Sequence, residues 1–181
     1  MNKESVTSVT PQAAQTSSRV WRLGDQIDTD ALAPGAYMKF GIDVIAKHTL
    51  ESLRPEFASE VQAGDVIVAG EGFGVGSSRE QAAGVLVHLG VKAVIAPSFS
   101  GLFYRNAFNL GLLLLTCTRA DEIQEGMRVQ VLSSGVQIEG GALLSVKPVP
   151  DFLLEMVRAK GLLNVLKARI ASGQLHTRPQ D

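Results

Sequence analysis

The sequence predicts an α/β fold with a mainly parallel central sheet and short additional strands. Three observations carry that reading. The middle of the chain alternates short apolar runs with segments of helical spacing. Glycine stands at every second position from Gly70 to Gly76, between a strand and a helix. After Asp121 the pattern changes to short strands split by Ser-Gly and Gly-Gly turns. Strand–helix alternation marks parallel strands joined by right-handed crossovers.

Residues 1–18 are rich in Ser, Thr, Gln and Ala and lack any period, which predicts a flexible N-terminal tail. Order is expected from Arg19, with Val20-Trp21-Arg22-Leu23 as the first strand. Gly24-Asp25 turns the chain, and Asp28-Thr29-Asp30 and Pro34-Gly35 mark a polar loop. Asp43 to Leu53 has helical spacing, with Val44, Ile45, His48 and Leu53 on one side, and Pro55 ends it. Val66 to Ala69 shows no polar alternation, so that strand is expected to be covered on both faces.

Beyond the glycines, Ser78 to Leu89 reads as a helix closed by Gly90. Lys92 to Ala96 and Leu112 to Leu115 read as strands, with a helix between them from Phe99 to Asn109. Three short strands follow, at Arg128–Leu132, Val136–Ile138 and Leu143–Val146. Helices are expected at Asp151–Ala159 and Leu162–Ala171, their apolar stripes covering the sheet. The whole reads as one domain, residues 19–171, followed by a C-terminal tail, 172–181.

Composition excludes several functions. The net charge is -1, from 17 basic and 18 acidic residues, and aromatics make up 6% of the chain. Neither an electrostatic footprint nor a stacking platform for nucleic acid is expected. No apolar run approaches the roughly 20 residues of a membrane span. The N-terminus carries no apolar secretory core, so the expected setting is the cytoplasm. Cys117 is the single cysteine. One thiol forms no internal disulfide and does not hold an iron–sulfur cluster, which takes several. His48, His88 and His176 are too far apart for a metal-binding spacing, so no cofactor is expected in this chain.

The glycine run carries the chemistry. Alternate glycines strip one face of side chains and let a ligand or another backbone come close. The run ends at a helix start, where free N–H groups and the helix dipole favour an anion. Ser77, Ser78 and Arg79 add two hydroxyls and a fixed cation. Arginine holds a carboxylate through two parallel hydrogen bonds, and Glu80 suits the first turn and can pair with Arg79. The segment therefore reads as a seat for a small carboxylate or phosphate. It is not a P-loop, because the Gly-Lys-Ser/Thr ending is absent, and it lacks the third glycine of a dinucleotide fingerprint. The plainer alternative is an N-capping serine on an ordinary helix, with glycines serving only a tight turn.

Gly74-Val75-Gly76-Ser77-Ser78-Arg79-Glu80-Gln81-Ala82 resembles the signature of the swivelling domain of the aconitase superfamily. Gly90 to Gly111, with Ala96-Pro97-Ser98-Phe99 and Phe103-Tyr104-Arg105-Asn106, is similar to the small subunits of the isopropylmalate isomerase and homoaconitase group. Gly24-Asp25-Gln26-Ile27-Asp28-Thr29-Asp30 and Pro150-Asp151-Phe152 resemble the beginning and end of the same domain. The likeness spans roughly residues 19 to 171, with its separated motifs in order.

The resemblance implies a swivelling β/β/α fold and a hydro-lyase reaction, the reversible dehydration and rehydration of a hydroxy di- or tricarboxylate. It implies a large partner subunit that bears a [4Fe–4S] cluster and is needed for activity. It places leucine biosynthesis first, through 3-isopropylmalate, with homoaconitate, methylmalate (citraconate) and dimethylmalate as further substrates. Carried over by position, Ser77 matches the serine that removes the proton alpha to a carboxylate. Ser78 and Arg79 match residues that bind that carboxylate, with Gly76 in support. Asp30 matches a loop near the site; it either orients the serine's hydrogen bonds or merely makes an Asx-turn. Lys39, in Tyr37-Met38-Lys39-Phe40, matches the loop that tells substrates apart. Homoaconitase-like members carry an arginine there, and short isopropylmalate enzymes an apolar residue. Lys39 therefore either meets a second acidic group or lines a pocket with its stem. Aconitase has an arginine two positions further on, where this chain has Gly41. A different class of function, a non-catalytic anion-binding regulatory module, is the competing reading.

Overall fold

The computed structural model describes residues 17–132 and 134–174. The expected tails fall mostly outside these, at residues 1–16 and 175–181, as does His176. Four parallel strands form the centre: β1 (Ser18–Arg22), β2 (Val66–Val68), β3 (Ala93–Ala96) and β4 (Leu113–Thr116). Three antiparallel strands, β5 (Arg128–Leu132), β6 (Gly135–Ile138) and β7 (Leu143–Leu144), extend the sheet beyond β1. The order is β4-β3-β2-β1-β5-β6-β7, so β1 joins the parallel and antiparallel halves. β1 takes in Ser18, which stands opposite Val129.

Strands without polar alternation need cover on both sides, and they have it. Ile67, Val94 and Leu114 point into one core with helices α4 (Glu80–His88) and α5 (Gly101–Asn109). Val66, Val68, Ala93 and Ile95 point into a second core, closed by Val129, Val136 and Leu144 from the antiparallel strands. The sheet thus curls over its own parallel half. Helices cover one face and β5 to β7 the other, a β/β/α layering.

The helix expected from Asp43 to Leu53 is shorter. Only Ile42–Ala46 (α2) is helical, after the short α1 (Thr29–Leu32). Leu50 leaves the helix with φ 62°, fully buried, and its N–H donates to the Ala31 carbonyl at 2.7 Å. A tertiary hydrogen bond and a buried leucine thus outweigh helical spacing, and Leu53 faces solvent. A single turn, α3 (Phe57–Glu60), follows Pro55.

The last two helices, α6 (Asp151–Arg158) and α7 (Leu162–Ala171), meet the sheet only at its β4 edge, where Leu154 lies beside Leu113 and Leu115. They pack on α5, with Leu153, Met156 and Val157 against the helix-side core. Phe152, Leu163 and Ile170 remain exposed.

Candidate active site

The loops that leave β1 and β2 run on side by side. Leu23 N–H donates to the Val68 carbonyl, Gly70 to Gly24, Gln26 to Glu71, Gly74 to Ile27 and Thr29 to Val75, all within 3.0 Å. This backbone ladder carries the pairing past the strands to Asp28 and Val75, which form a further parallel bridge. It ends where α1 begins and the Gly76-Ser77-Ser78-Arg79 turn leads into α4. The candidate site therefore sits at the carboxyl ends of parallel strands, where α/β proteins place ligands.

The glycines make room chiefly for the protein itself. A Cβ on Gly70 would lie 1.8 Å from Asp25 Oδ1, one on Gly72 2.3 Å from Gln26 Nε2, and one on Gly74 2.2 Å from the Phe103 ring. The expectation of a face bared for a ligand is thus corrected over most of the run. The first loop and α5 press against it. Gly76, at φ 105°, does lie at the site, where its missing side chain leaves space for Thr29 Oγ1.

Ser77 and Ser78 are exposed, and neither caps α4. The N-cap position is Arg79, without a side-chain cap, so the plainer reading of a capping serine does not hold. Ser77 instead meets Thr29. Its N–H donates to Thr29 Oγ1 at 3.0 Å, and the two hydroxyl oxygens lie 3.2 Å apart. The Ser78 carbonyl accepts from Asn106 Nδ2 at 3.2 Å. Thr29 and Asn106 are 2% and 8% exposed, so two buried polar groups hold an exposed turn. Among the described residues, the N–H groups of Ser78, Arg79, Glu80 and Gln81 have no protein acceptor, as the dipole argument requires.

Arg79 does not pair with Glu80. Its Nη1 donates to Asp30 Oδ1 and, at 2.9 Å, to the Ala33 carbonyl. Asp30 also accepts from the Gly35 N–H at 3.1 Å. The Arg79 guanidinium, and secondly that N–H, hold the Asp30 carboxyl below its ordinary value. Among the described residues, Arg79 Nε and Nη2 make no hydrogen bond, which leaves three donors for a carboxylate. Asp30 thus orients the arginine, not the serine. The Asx geometry belongs to Asp28, whose Oδ1 accepts from the Ala31 N–H at 2.7 Å and caps α1.

Lys39 is exposed, just beyond the Gly35–Tyr37 turn, with its ammonium 5.2 Å from the centre of the Phe40 ring. It makes no hydrogen bond or ion pair with Ser77, Ser78 or Arg79 among the described residues. The turn before it is nonetheless tied to the site, through Asp30 and Gly35. Tyr37 stacks on His48 with centroids 3.6 Å apart. Thr29 is the residue that sequence reasoning missed. Its motif was quoted for its two aspartates, and the buried threonine between them makes the contact.

No three His, Cys, Asp or Glu side chains gather to hold a metal among the described residues. Cys117 lies in the core on the antiparallel side, 1% exposed, and burial pushes its thiol pKa up. The residues present do not fit an iron–sulfur cluster.

An exposed serine and an anchored guanidinium with free donors, at the ends of parallel strands, mark an α/β protein with a candidate seat for a small anion. Comparison with known proteins narrows this class. Residues 34–120 match the Aconitase C-terminal domain family. The chain is 44% identical to 3-isopropylmalate dehydratase small subunit 1 of Thermotoga maritima, over 82% of this chain and 93% of that one. It is also 44% identical to the methanogen homoaconitase small subunit of Methanothermobacter thermautotrophicus, over 86% and 92%. The crystal structure of 3-isopropylmalate dehydratase from Methanocaldococcus jannaschii superposes with a TM-score of 0.81 at 38% identity, covering 88% of this chain and 98% of that one. The chain belongs to the family of aconitase-type dehydratase small subunits.

Proposed function

We propose that this chain is the small subunit of a heteromeric hydro-lyase that isomerises 3-isopropylmalate and 2-isopropylmalate by dehydration and rehydration. The observation that carries the reading is the convergence of Ser77 and Arg79 with Thr29 and Asp30, held by a backbone ladder on an open surface. Ser77 Oγ, in its deprotonated form, takes the proton alpha to a carboxylate and becomes the neutral hydroxyl. The carbon–hydrogen and carbon–oxygen bonds break, a double bond forms, and the hydroxyl leaves as hydroxide, which would become water by taking a proton from an acid on the partner; rehydration returns both protons. Arg79, through Nε and Nη2, and Ser78 hold the carboxylate on which charge builds. A serine hydroxyl is a weak base, so it needs donors aimed at its oxygen in a closed site. Ser77 and Ser78 are exposed here, and a partner surface would supply that closure.

The large partner subunit would bring a [4Fe–4S] cluster, whose chemistry is to bind the departing hydroxyl. Among the described residues no helix is long and apolar enough to cross a membrane, and we place the enzyme in the cytoplasm. Lys39 favours a second reading, in which a distal carboxylate of a homoaconitate-type substrate meets its ammonium.

The test is reconstitution with the large cluster-bearing subunit and an ultraviolet assay of the unsaturated intermediate across a panel of hydroxy acids. Turnover of 3-isopropylmalate in the mixture alone, abolished by Ser77→Ala, is expected. Inactivity of the assembled pair on every hydroxy acid, with anion binding retained, would instead favour a regulatory module.

A further inference from the structure

Among the described residues, Thr29 is the one side chain hydrogen-bonded to the Ser77 hydroxyl oxygen. Its own hydroxyl is buried, and a buried hydroxyl must place its proton. One lone pair of Thr29 Oγ1 already accepts the Ser77 N–H at 3.0 Å. Among the described residues, Ser77 Oγ, at 3.2 Å, is the one acceptor within reach of the Thr29 proton. The bond therefore runs from threonine to serine, and Ser77 turns its own proton outward, toward the open side.

We infer that Thr29 is a positioning residue that sets the Ser77 hydroxyl and, by donating to Ser77 Oγ, stabilises its deprotonated form. This rests on the reading of Ser77 as the base. The donor is well supported. Thr29 begins α1 behind the Asp28 cap, and its N–H is bonded to the Val75 carbonyl at 2.8 Å. Gly76 makes the approach possible, since a Cβ there would lie 3.0 Å from Thr29 Oγ1. Two contacts from one oxygen, one to the backbone and one to the side chain of the same serine, fix both its position and its rotamer. Such preorganisation lowers the cost of forming charge on the oxygen at the moment of reaction.

The experiment uses the assembled two-subunit enzyme and 3-isopropylmalate, with Ser77→Ala as reference. Thr29→Val keeps the shape and removes the donor. It is expected to lower kcat by about 10²-fold, the order seen for loss of one donor to a developing oxyanion. KM should change by less than about threefold, and the limb of the pH–rate profile that reports base ionisation should move to higher pH. Thr29→Ser, which keeps the hydroxyl, should restore kcat to within about threefold. If Thr29→Val fails to assemble, Thr29→Ala carries the same expectation against Thr29→Ser. A near-normal kcat without the hydroxyl while Ser77→Ala is inactive overturns the role of Thr29 and leaves that of Ser77 intact. So does a loss that Thr29→Ser fails to restore, or one with an unmoved pH profile. An active Ser77→Ala overturns the base assignment itself.

Discussion

Arg79 and Asp30, 49 positions apart in the chain, form an ion pair that ties the start of α4 to the loop after β1. The aspartate takes one end of the guanidinium and leaves Nε and Nη2 to point elsewhere. Through the Gly35 N–H the same carboxylate also holds the turn that leads to Lys39. One acidic side chain thereby ties the proposed carboxylate clamp to the turn that precedes Lys39.

Replacing Asp30 should therefore act on binding. In Asp30→Asn the clamp loses its charged anchor, and KM for 3-isopropylmalate should rise about tenfold, with a smaller fall in kcat. Stability should respond to pH in a defined direction. The folded carboxyl titrates below 3.8 because Arg79 and then Gly35 donate to it. A carboxylate with a depressed pKa contributes stability above its unfolded value and loses it as pH falls through the folded one. The gap between the native chain and Asp30→Asn should hold from pH 7 to about pH 5 and close below 3.8. Because Asp30 is largely exposed, the gap should stay within about 1 kcal/mol. Thermal unfolding at each pH measures it.

Gly74→Ala should be the most damaging small substitution in the glycine run. It places a side chain at φ 79° and drives it into the Phe103 ring. That ring is itself held edge-on to Phe73 at 5.2 Å. Backbone strain and overpacking together should cost about 2–5 kcal/mol. Gly24→Ala, where a Cβ meets nothing within 4 Å, should stay within about 0.5 kcal/mol of the native chain. Denaturant unfolding of the two variants checks both values.

Lys39→Leu should shift substrate preference. If the proposed contact of its ammonium with a distal carboxylate holds, removing this exposed cation should raise the ratio of kcat/KM for 3-isopropylmalate over homoaconitate by about tenfold, the worth of one charge-assisted bond. An unchanged ratio would show that Lys39 contributes only its stem.

Cys117 should resist thiol reagents in the folded chain. Its burial and raised thiol pKa both suppress the reactive thiolate. Alkylation by iodoacetamide at pH 8 should be slow in buffer and fast in denaturant, as followed by mass spectrometry.

Much of this was legible in the sequence, for reasons that differ by element. The parallel strands were legible because Val66 to Ala69 and Ala93 to Ala96 are apolar throughout, short and bounded by turn residues, a pattern that suits strands covered on both faces. The Ser77–Arg79 segment was found by its motif. The partners of those residues were not, because spacing along a chain does not say which of three polar neighbours points inward. Asp28 caps a helix, Thr29 meets the serine and Asp30 meets the arginine, although all three looked alike as turn formers. The helix from Asp43 to Leu53 failed for a similar reason. Nothing local announces that Ala31 will capture the Leu50 N–H. The last helices showed their apolar stripes but not the surface those stripes would find.

The ladder between the two strand exits has a consequence for how such a chain can change. Every rung from Leu23–Val68 to Thr29–Val75 fixes the length of one loop against the other. A residue gained or lost in either exit would shift Thr29 past Ser77 while leaving the sheet behind it intact. Insertions and deletions between Leu23 and Thr29 are therefore tolerated only when matched between Val68 and Val75. The two stretches must vary in length together, whereas the turn around Lys39 lies outside those rungs and is not held to that match.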